Sequence, residues 1–205
     1  MVAGKPDIPV ADRSRRMRDA ARELWLEHGY RTSMDAVARR AGCSKQTVYA
    51  HFGSKAGLFR EVVADLISPL IASLETRDGE LGASLLAFAH AHADQLGAPD
   101  MVARRRILIS EAPRFPDEAE ALWQSGLEAI HAHLSTIIAN AMQRGELRDD
   151  DPAAAAEVFL GLHTGIEGER LFFGRAARRT PAARASWAAQ AVDFFLRLYA
   201  PASPH

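Results

Sequence analysis

A run of hydrogen-bonding side chains between residues 44 and 52 has the clearest chemistry in the sequence. On a helix, Val48 and Phe52 lie four residues apart and share one face, where they can be buried. The other positions carry ammonium, amide, hydroxyl, phenol and imidazole groups, on Lys45, Gln46, Thr47, Tyr49 and His51. Groups of these types hydrogen-bond to base edges and phosphate oxygens of DNA. The pattern predicts a short helix that reads the major groove.

The residues before this segment predict a second short helix and a tight turn. Ser33 can cap a helix that ends before Gly42, and Ser44 can cap the helix that follows. Val37 and Ala38 give the first helix a narrow apolar stripe, small enough for close packing against a neighbour. Two helices of about two turns, joined by a short turn that contains glycine, are typical of a helix-turn-helix.

The charge of the chain is unevenly distributed. Residues 1–60 hold 12 of the 25 Lys and Arg but only 6 of the 26 Asp and Glu, a net charge of +6, whereas residues 61–205 carry −7. A basic first part favours a polyanionic partner, because each Lys or Arg that meets a phosphate releases a counterion. The alternative is that the arginines between Arg13 and Arg18 form a solvated arm with no partner.

Apolar residues recur at helical spacing, as at Leu58, Val62 and Leu66, while the alternating pattern of strands is not found in the sequence. The sequence predicts an all-α fold with about nine helices. Within it we expect a helix-turn-helix domain over residues 1–58 and a larger helical body over 59–205. Pro69 is expected to bend or interrupt a helix that begins near Ser54, and one long helix is expected over 151–173.

Other classes of protein are less consistent with the sequence. The chain has one cysteine, Cys43, and neither an apolar run of about 20 residues nor an apolar leader, which predicts a cytoplasmic protein without a membrane partner. The histidine pairs at 90/92 and 131/133 point apart on a helix, and metalloprotease and phosphate-loop motifs are missing from the sequence. We therefore expect no enzyme, no catalytic residue, no metal and no cofactor. A helical adaptor that binds protein instead of DNA remains the alternative.

Residues 14–62 resemble the TetR/AcrR-type one-component transcriptional regulators. The matching positions are Gly29-Tyr30, Thr32-Ser33, Val37-Ala38, Ala41-Gly42, Ser44-Lys45, Val48-Tyr49, His51-Phe52, Ser54-Lys55 and Leu58. The sequence departs at Gln46, where the family often has glycine, so that an extra side chain faces the DNA. It also departs at Cys43, where a β-branched residue is usual and which we interpret as packing.

The resemblance implies a role for each matching polar residue. The base-reading positions fall on Lys45, Gln46 and Thr47, and Ser44, directly before them, belongs to the expected DNA-binding set as well. The positions that hold phosphates fall on Thr32, Ser33, Tyr49, His51 and Lys55. The implied partner is double-stranded DNA.

A second resemblance is carried by residues 104–116, by Gly145-Glu146-Leu147-Arg148 leading into Asp151-Pro152, and by Phe159-Leu160-Gly161-Leu162. These segments are similar to the sensor domain of AefR-like members over about residues 80–195, which implies an apolar cavity for a small effector. The residues themselves offer large or polar groups on otherwise apolar helical faces. The expected ligand-binding set is Phe88, His92, Leu108, Glu111, Phe115, Trp123, Leu127, Phe159, His163 and Glu167.

The last two helices carry wide apolar stripes that would be exposed unless they are paired. The expected dimer interface consists of Leu162, Ile166, Phe172, Phe173, Trp187, Ala191, Phe194, Phe195 and Leu198. Together the resemblances imply a homodimeric repressor that binds a palindromic operator and is released by a small, mostly apolar effector.

Overall fold

The computed structural model describes residues 10–74 and 80–201, and every regular element in these two ranges is helical. The all-α prediction is therefore confirmed. The α-helices are α1 Val10–His28, α2 Met34–Ala41, α3 Lys45–Phe52, α4 Lys55–Leu74, α5 Leu81–Gly97, α6 Pro99–Glu111, α7 Pro116–Trp123, α8 Ala129–Gln143, α9 Pro152–Thr164, α10 Glu167–Phe172 and α11 Pro181–Leu198. A 3-10 turn, Gly29–Arg31, follows α1, and a π turn, Gln124–Glu128, separates α7 from α8.

The chain divides into two compact units, which we call the head and the body. The head consists of the residues up to Ala64 together with Ile107–Ser125, and the body consists of Asp65–Arg106 and the residues from Gly126 onward. The sequence places the boundary after residue 58 and assigns residues 107–125 to the body. In the structure these residues belong to the head, where the Phe115 ring lies 5.8 Å from the Tyr30 ring.

Aromatic packing forms the core of the head. Trp25 of α1 and Phe59 of α4 have ring centroids 4.7 Å apart, and Tyr30 lies 5.3 Å from the first and 5.4 Å from the second. All three side chains are buried, as is Val48 of α3. The short helix α3 is therefore fixed to the head by its apolar side, as the spacing of Val48 and Phe52 predicts, although Phe52 itself is half-buried.

The core of the body is formed where α5, α9 and α11 pack against one another and α8 packs against α9. Phe88, Phe159 and Phe195 come from the first three helices and are fully buried, with centroid distances of 6.2 Å and 5.3 Å along the series. Leu134 and Ile138 extend this core from α8. No helix in the described residues is long and apolar enough to cross a membrane.

Two helices differ from what the sequence predicts. Pro69 lies inside α4, which continues to Leu74, so the interruption does not occur, and the bend, the other effect expected of this proline, stays a prediction. The single helix expected over 151–173 is two helices, because Gly165 adopts φ 51° and ψ −144° between α9 and α10. This backbone conformation is open to glycine and strained for residues with a side chain.

The break at Gly165 can be tested against a glycine in the preceding helix. Gly165→Ala should lower the free energy of unfolding by about 1–3 kcal/mol, because alanine is strained in the backbone conformation that Gly165 adopts. Gly161→Ala should raise it by about 0.5–1 kcal/mol, since this position is helical. At both positions a Cβ would meet no described atom within 4 Å, so backbone conformation alone separates the variants. Urea unfolding at one protein concentration measures both changes, and equal effects would contradict the assigned conformation.

Candidate functional site

Helix α3 presents most of its polar side chains to solvent. Lys45, Gln46, Tyr49 and His51 are exposed, and Thr47 is half-buried. The helix begins where the Ser44 hydroxyl accepts a hydrogen bond from the backbone N–H of Thr47, at 3.1 Å. Ser44 Oγ also lies 2.8 Å from Thr47 Oγ1. The first turn of α3 therefore has a fixed geometry and an accessible outer face.

Lys45 is held over this face by a weak ion pair. Its Nζ lies 3.1 Å from Asp35 Oδ2 on α2 and 6.0 Å from the centroid of the Tyr49 ring. Both charged groups are about half exposed, so water screens their attraction and the pair contributes little to stability. A phosphate or a guanine edge can therefore replace Asp35 as the partner of this ammonium group.

Among the residues expected at phosphates, Ser33 and Thr32 differ. Ser33 is exposed at the start of α2, where its Oγ accepts from the N–H of Ala36 at 3.1 Å, which leaves the hydroxyl proton for an outside acceptor. Thr32 is only 4% exposed, and its hydroxyl donates to the carbonyls of Leu24 and Gly29, at 3.0 and 2.9 Å. The phosphate role expected for Thr32 is corrected to a structural one, because its only proton is used inside the head.

Lys55 also has partners inside the head. Its ammonium group donates to the Tyr30 carbonyl, lies 3.6 Å from Glu118 Oε1 and is 5.0 Å from the centroid of the Phe115 ring. The side chain is 23% exposed. In the free protein this ammonium group joins α4 to α7, and the phosphate contact expected at Lys55 stays a prediction, because the side chain is partly exposed. Glu118 is far from Lys55 in sequence, so neither spacing nor local pattern signals the pair.

The orientation of α2 against α1 depends on an ion pair that the sequence analysis missed. Arg40 of α2 donates to Glu23 at 2.9 Å and to Glu27 at 2.8 Å, both on α1. The hydrogen bond from Arg40 lowers the pKa of the Glu27 carboxyl below its usual value. All these groups are exposed to solvent, so the network orients the helices more than it stabilises them.

Two family models match this sequence, and the first of them covers the capped, exposed helix α3 and its neighbour α2. Residues 18–62 match the bacterial regulatory proteins of the tetR family, and residues 83–201 match the C-terminal domain of AefR-like transcriptional repressors. The chain belongs to the TetR family. TetR-family proteins are transcriptional regulators and not enzymes, in agreement with the sequence-based expectation.

Three similar proteins match most of the length of this TetR-family chain. The HTH-type transcriptional regulator SrpR from Pseudomonas putida is 29% identical over 175 residues, which is 83% of this chain and 80% of SrpR. The solved structure of the flavonoid-responsive regulator FrrA is 31% identical with a TM-score of 0.75, over 94% of this chain and all of FrrA. A TetR transcriptional regulator from Agrobacterium tumefaciens is 27% identical with a TM-score of 0.72, over 92% and 95% of the two chains.

The body contains a cavity of about 40 Å³ between α5, α9, α10 and α11. His163 and Glu167 line it as expected, and so does Trp187, which the sequence analysis places in the dimer interface. The full lining is Ala93, Leu96, Gly97, His163, Thr164, Glu167, Gly168, Leu171, Ala177, Arg179, Arg184, Trp187 and Ala188.

The other residues expected in one ligand-binding set lie elsewhere. Phe88 and Phe159 are fully buried in the body core and His92 is buried beside them, while Leu127 is half-buried in the body. Four residues, Leu108, Glu111, Phe115 and Trp123, belong to the head. These four residues do not line the body cavity. The sequence could not show this, because helical periodicity indicates that a helix face is apolar but not which unit covers that face.

Two histidines are hydrogen-bonded to each other beside the cavity. His163 Nδ1 is 3.0 Å from the Phe159 carbonyl, which can only accept, so this nitrogen carries the proton. His163 Nε2 must then accept from His92 Nδ1, which lies 2.8 Å away. Burial lowers the pKa of His92 to about 3, helped by His163 and Arg105, and burial lowers that of His163 to about 4. Both rings are therefore neutral near pH 7.

The expected dimer residues divide into two groups. Ile166, Phe173, Phe194 and Leu198 are exposed, with Phe173 at 82% and Ile166 at 63%. Leu162, Phe172 and Trp187 are half-buried. Ala191 and Phe195 are fully buried, so these two are corrected to core residues of the body. Exposed apolar residues on α11, directly after α10 and in the turn between α9 and α10 are what an unpaired interface would show.

The histidine pair should make the stability of the protein depend on pH. In the unfolded chain histidine binds a proton near pH 6.5, whereas the folded pair does so only near pH 3–4. Stability should therefore be highest above pH 6.5 and fall as the pH decreases toward 4, with up to about 1.4 kcal/mol per pH unit for each histidine.

His92→Asn keeps a donor near the position of Nδ1 but cannot titrate. Its slope of unfolding free energy against pH, measured by urea titration between pH 7 and 5, should be smaller than that of the wild type. His133→Asn, at an exposed position on α8, is the matched control and should keep the wild-type slope. Equal slopes for all three proteins would show that His92 does not titrate on unfolding.

Proposed function

We propose that this TetR-family regulator binds a two-fold symmetric DNA operator as a homodimer and is released from it by a small, mostly apolar effector. The observation that carries the proposal is the exposed polar face of α3, with Lys45, Gln46 and Tyr49 accessible on a helix that is fixed from behind by Val48. The N-terminal residues of a recognition helix contact base edges, and these are the most polar of α3.

In this proposal, different residues contact the bases and the phosphates. Gln46 and Lys45 have the side chains that suit adenine and guanine edges in the major groove. Ser33, Tyr49 and His51 offer hydroxyl, phenol and imidazole donors to phosphate oxygens, which position the protein without reading the sequence. Thr32 supports these residues from inside the head, while the partly exposed Lys55 keeps its proposed phosphate contact.

A homodimer is supported by the exposed apolar side chains at Ile166, Phe173, Phe194 and Leu198. A two-fold axis through such a patch pairs it with its own copy and covers both. Two recognition helices related by that axis would fit half-sites one DNA turn apart, about 34–36 Å, or a multiple of this distance. A palindromic operator follows from the symmetry.

Control by a small molecule is supported by the body cavity and by one relative. FrrA is described as flavonoid-responsive, and it resembles this chain over nearly its whole length. The match to the C-terminal domain of AefR-like repressors supports repression as the direction of control. A cavity of about 40 Å³ holds about three water molecules, so an organic effector must displace side chains to enter.

This displacement gives the effector a physical means of control. A ligand shifts an equilibrium only by its different affinity for two arrangements. Helices α4 and α6 each contribute residues to both units, and Phe115 and Glu118, just after α6, contact Lys55 at the start of α4. We propose that a change around the cavity reaches α3 through these two helices.

Selection of bound duplexes from a random pool, with the purified full-length protein, tests the proposed function. A two-fold symmetric consensus is expected, and its affinity should fall steeply with salt because phosphates are contacted. Binding without sequence preference, or no binding at low salt, would contradict the proposal and favour the protein-binding adaptor.

The assignment of α3 as the recognition helix predicts the effect of two substitutions. Gln46→Ala and Thr47→Ala should each weaken operator binding by about 1–3 kcal/mol and relax the base preference at one or two positions. Gln143→Ala, at an exposed glutamine at the end of α8, is the control and should bind as the wild type does. Titration against the selected duplex and single-base variants measures both effects. Unchanged affinity and preference in Gln46→Ala and Thr47→Ala would show that α3 does not read bases.

The proposed interface predicts that charge on α11 separates the subunits. Phe194→Lys should raise the dimer dissociation constant at least about tenfold, because a buried ammonium without a partner is costly. Ile109→Glu places a charge at another exposed apolar residue, in the head at 59% exposure, and should leave the dimer intact. Sedimentation velocity over a range of concentrations measures both. A wild-type chain that stays monomeric, or equal constants for both variants, would argue against this interface.

A further inference from the structure

Two buried polar atoms of opposite kind lie on residues that line the body cavity. Glu167 Oε2 is an acceptor and Arg184 Nε is a donor, and neither has a hydrogen-bond partner among the described residues. Buried polar atoms are nearly always paired in folded proteins, with protein, water or ligand. An unpaired acceptor and an unpaired donor on one cavity therefore indicate what its occupant must offer.

Glu167 is fixed by its other oxygen. Oε1 accepts from the backbone N–H groups of Arg178 and Arg179, at 2.6 and 3.3 Å. The guanidinium of Arg179 is 3.6 Å from Oε2, which is too long for a hydrogen bond, and it lies over the Trp187 ring at 4.3 Å. Glu167 therefore closes the loop before α11 with one oxygen and leaves the second for another group.

Arg184 is only weakly engaged on its outer side. Its Nη2 lies 3.7 Å from Asp94, whose side chain is 75% exposed and therefore well screened by water. This contact occupies a terminal nitrogen and leaves Nε, which is buried on a residue of the cavity lining, without a hydrogen-bond partner.

An aromatic wall completes the site. The indole Nε1 of Trp187 donates to the His163 carbonyl at 3.1 Å, which fixes the plane of the ring at the cavity. Leu96 and Leu171 add aliphatic surface beside it. A rigid aromatic face favours a planar apolar ligand, since two rings gain from stacked or edge contacts beyond their buried area.

From these atoms, and resting on the proposed effector role of the cavity, we infer that the effector is an uncharged aromatic molecule with a phenolic hydroxyl group. The hydroxyl donates to Glu167 Oε2, an oxygen acceptor on the ligand receives a hydrogen bond from Arg184 Nε, and the ring packs against Trp187. A phenolic O–H can both donate and accept. Charges of both signs line the cavity, on Glu167, Arg179 and Arg184, so an uncharged ligand meets no unpaired repulsion there.

Calorimetric titration of the full-length protein with three matched compounds tests this inference. The compounds are β-naphthol, its methyl ether, which cannot donate a hydrogen bond, and the corresponding naphthoic acid, which is charged at neutral pH. β-Naphthol should bind, and the ether and the acid should bind at least about tenfold more weakly, because each leaves Glu167 Oε2 without a donor.

Two variants locate the effect in the cavity. Glu167→Gln keeps one oxygen for the loop N–H groups but replaces the free acceptor with an amide, and Arg184→Lys keeps the charge but removes Nε. Each should weaken β-naphthol binding about tenfold. Glu157→Gln, at an exposed carboxylate on α9, is the control and should bind as the wild type does.

Equal affinities for β-naphthol and its ether, or wild-type affinity in Glu167→Gln, would overturn the inference. So would the lack of β-naphthol binding to a protein that still binds its selected operator, a result that leaves ordered water as the occupant of the cavity. Failure of the wild type to bind any DNA would instead contradict the proposed function, and the naphthol series would still report on the cavity.

Discussion

The burial of Tyr30 is the constraint on which the head depends. Its side chain is fully buried among Trp25, Phe59 and Phe115, and its backbone carbonyl accepts a hydrogen bond from the Lys55 ammonium. Burial, with a smaller contribution from Glu118, raises the pKa of the phenol well above its usual value, so Tyr30 stays neutral. One residue thus joins α1, α4 and the segment after α6 around the base of the DNA-binding helices. The same contacts give the partly exposed Lys55 internal partners on α7 and in the turn after α1.

The interior of the body contains polar groups that are only partly satisfied, as the head does at the Tyr30 hydroxyl and Trp25 Nε1. His92 and His163 satisfy each other as neutral rings, while Glu167 and Arg184 keep one unpaired atom each. A well-packed protein tolerates such atoms where a ligand or water completes them. An organic ligand that enters the cavity must also move side chains, since a volume of about 40 Å³ cannot hold an organic ring. Binding and repacking are therefore one event in this part of the fold.

Local features of the fold follow from the sequence, and long-range ones do not. Ser33, Ser44 and the pair Val48 and Phe52 act within a few residues of themselves, so capping and periodicity predict α2, α3 and their turn. The hydroxyl of Thr32 donates to the carbonyls of Leu24 and Gly29 and is buried. The sequence shows only the residue type and not this burial, so it predicts a hydroxyl that is available to a phosphate. The sequence around Phe115 is apolar, which is consistent with burial in the head or in the body. Only the tertiary packing against Tyr30 shows that it belongs to the head. Ala191 and Phe195 share a wide stripe with Phe194, and periodicity alone does not separate its buried half from its exposed half.

Pro69 has a mechanical consequence for α4. Proline has no N–H, so the helical ladder lacks the bond that would run from residue 69 to the carbonyl of Asp65. Asp65 is the first residue of the body along this helix. The helical hydrogen bond that proline removes therefore belongs to the turn in which α4 passes from the residues of the head to those of the body.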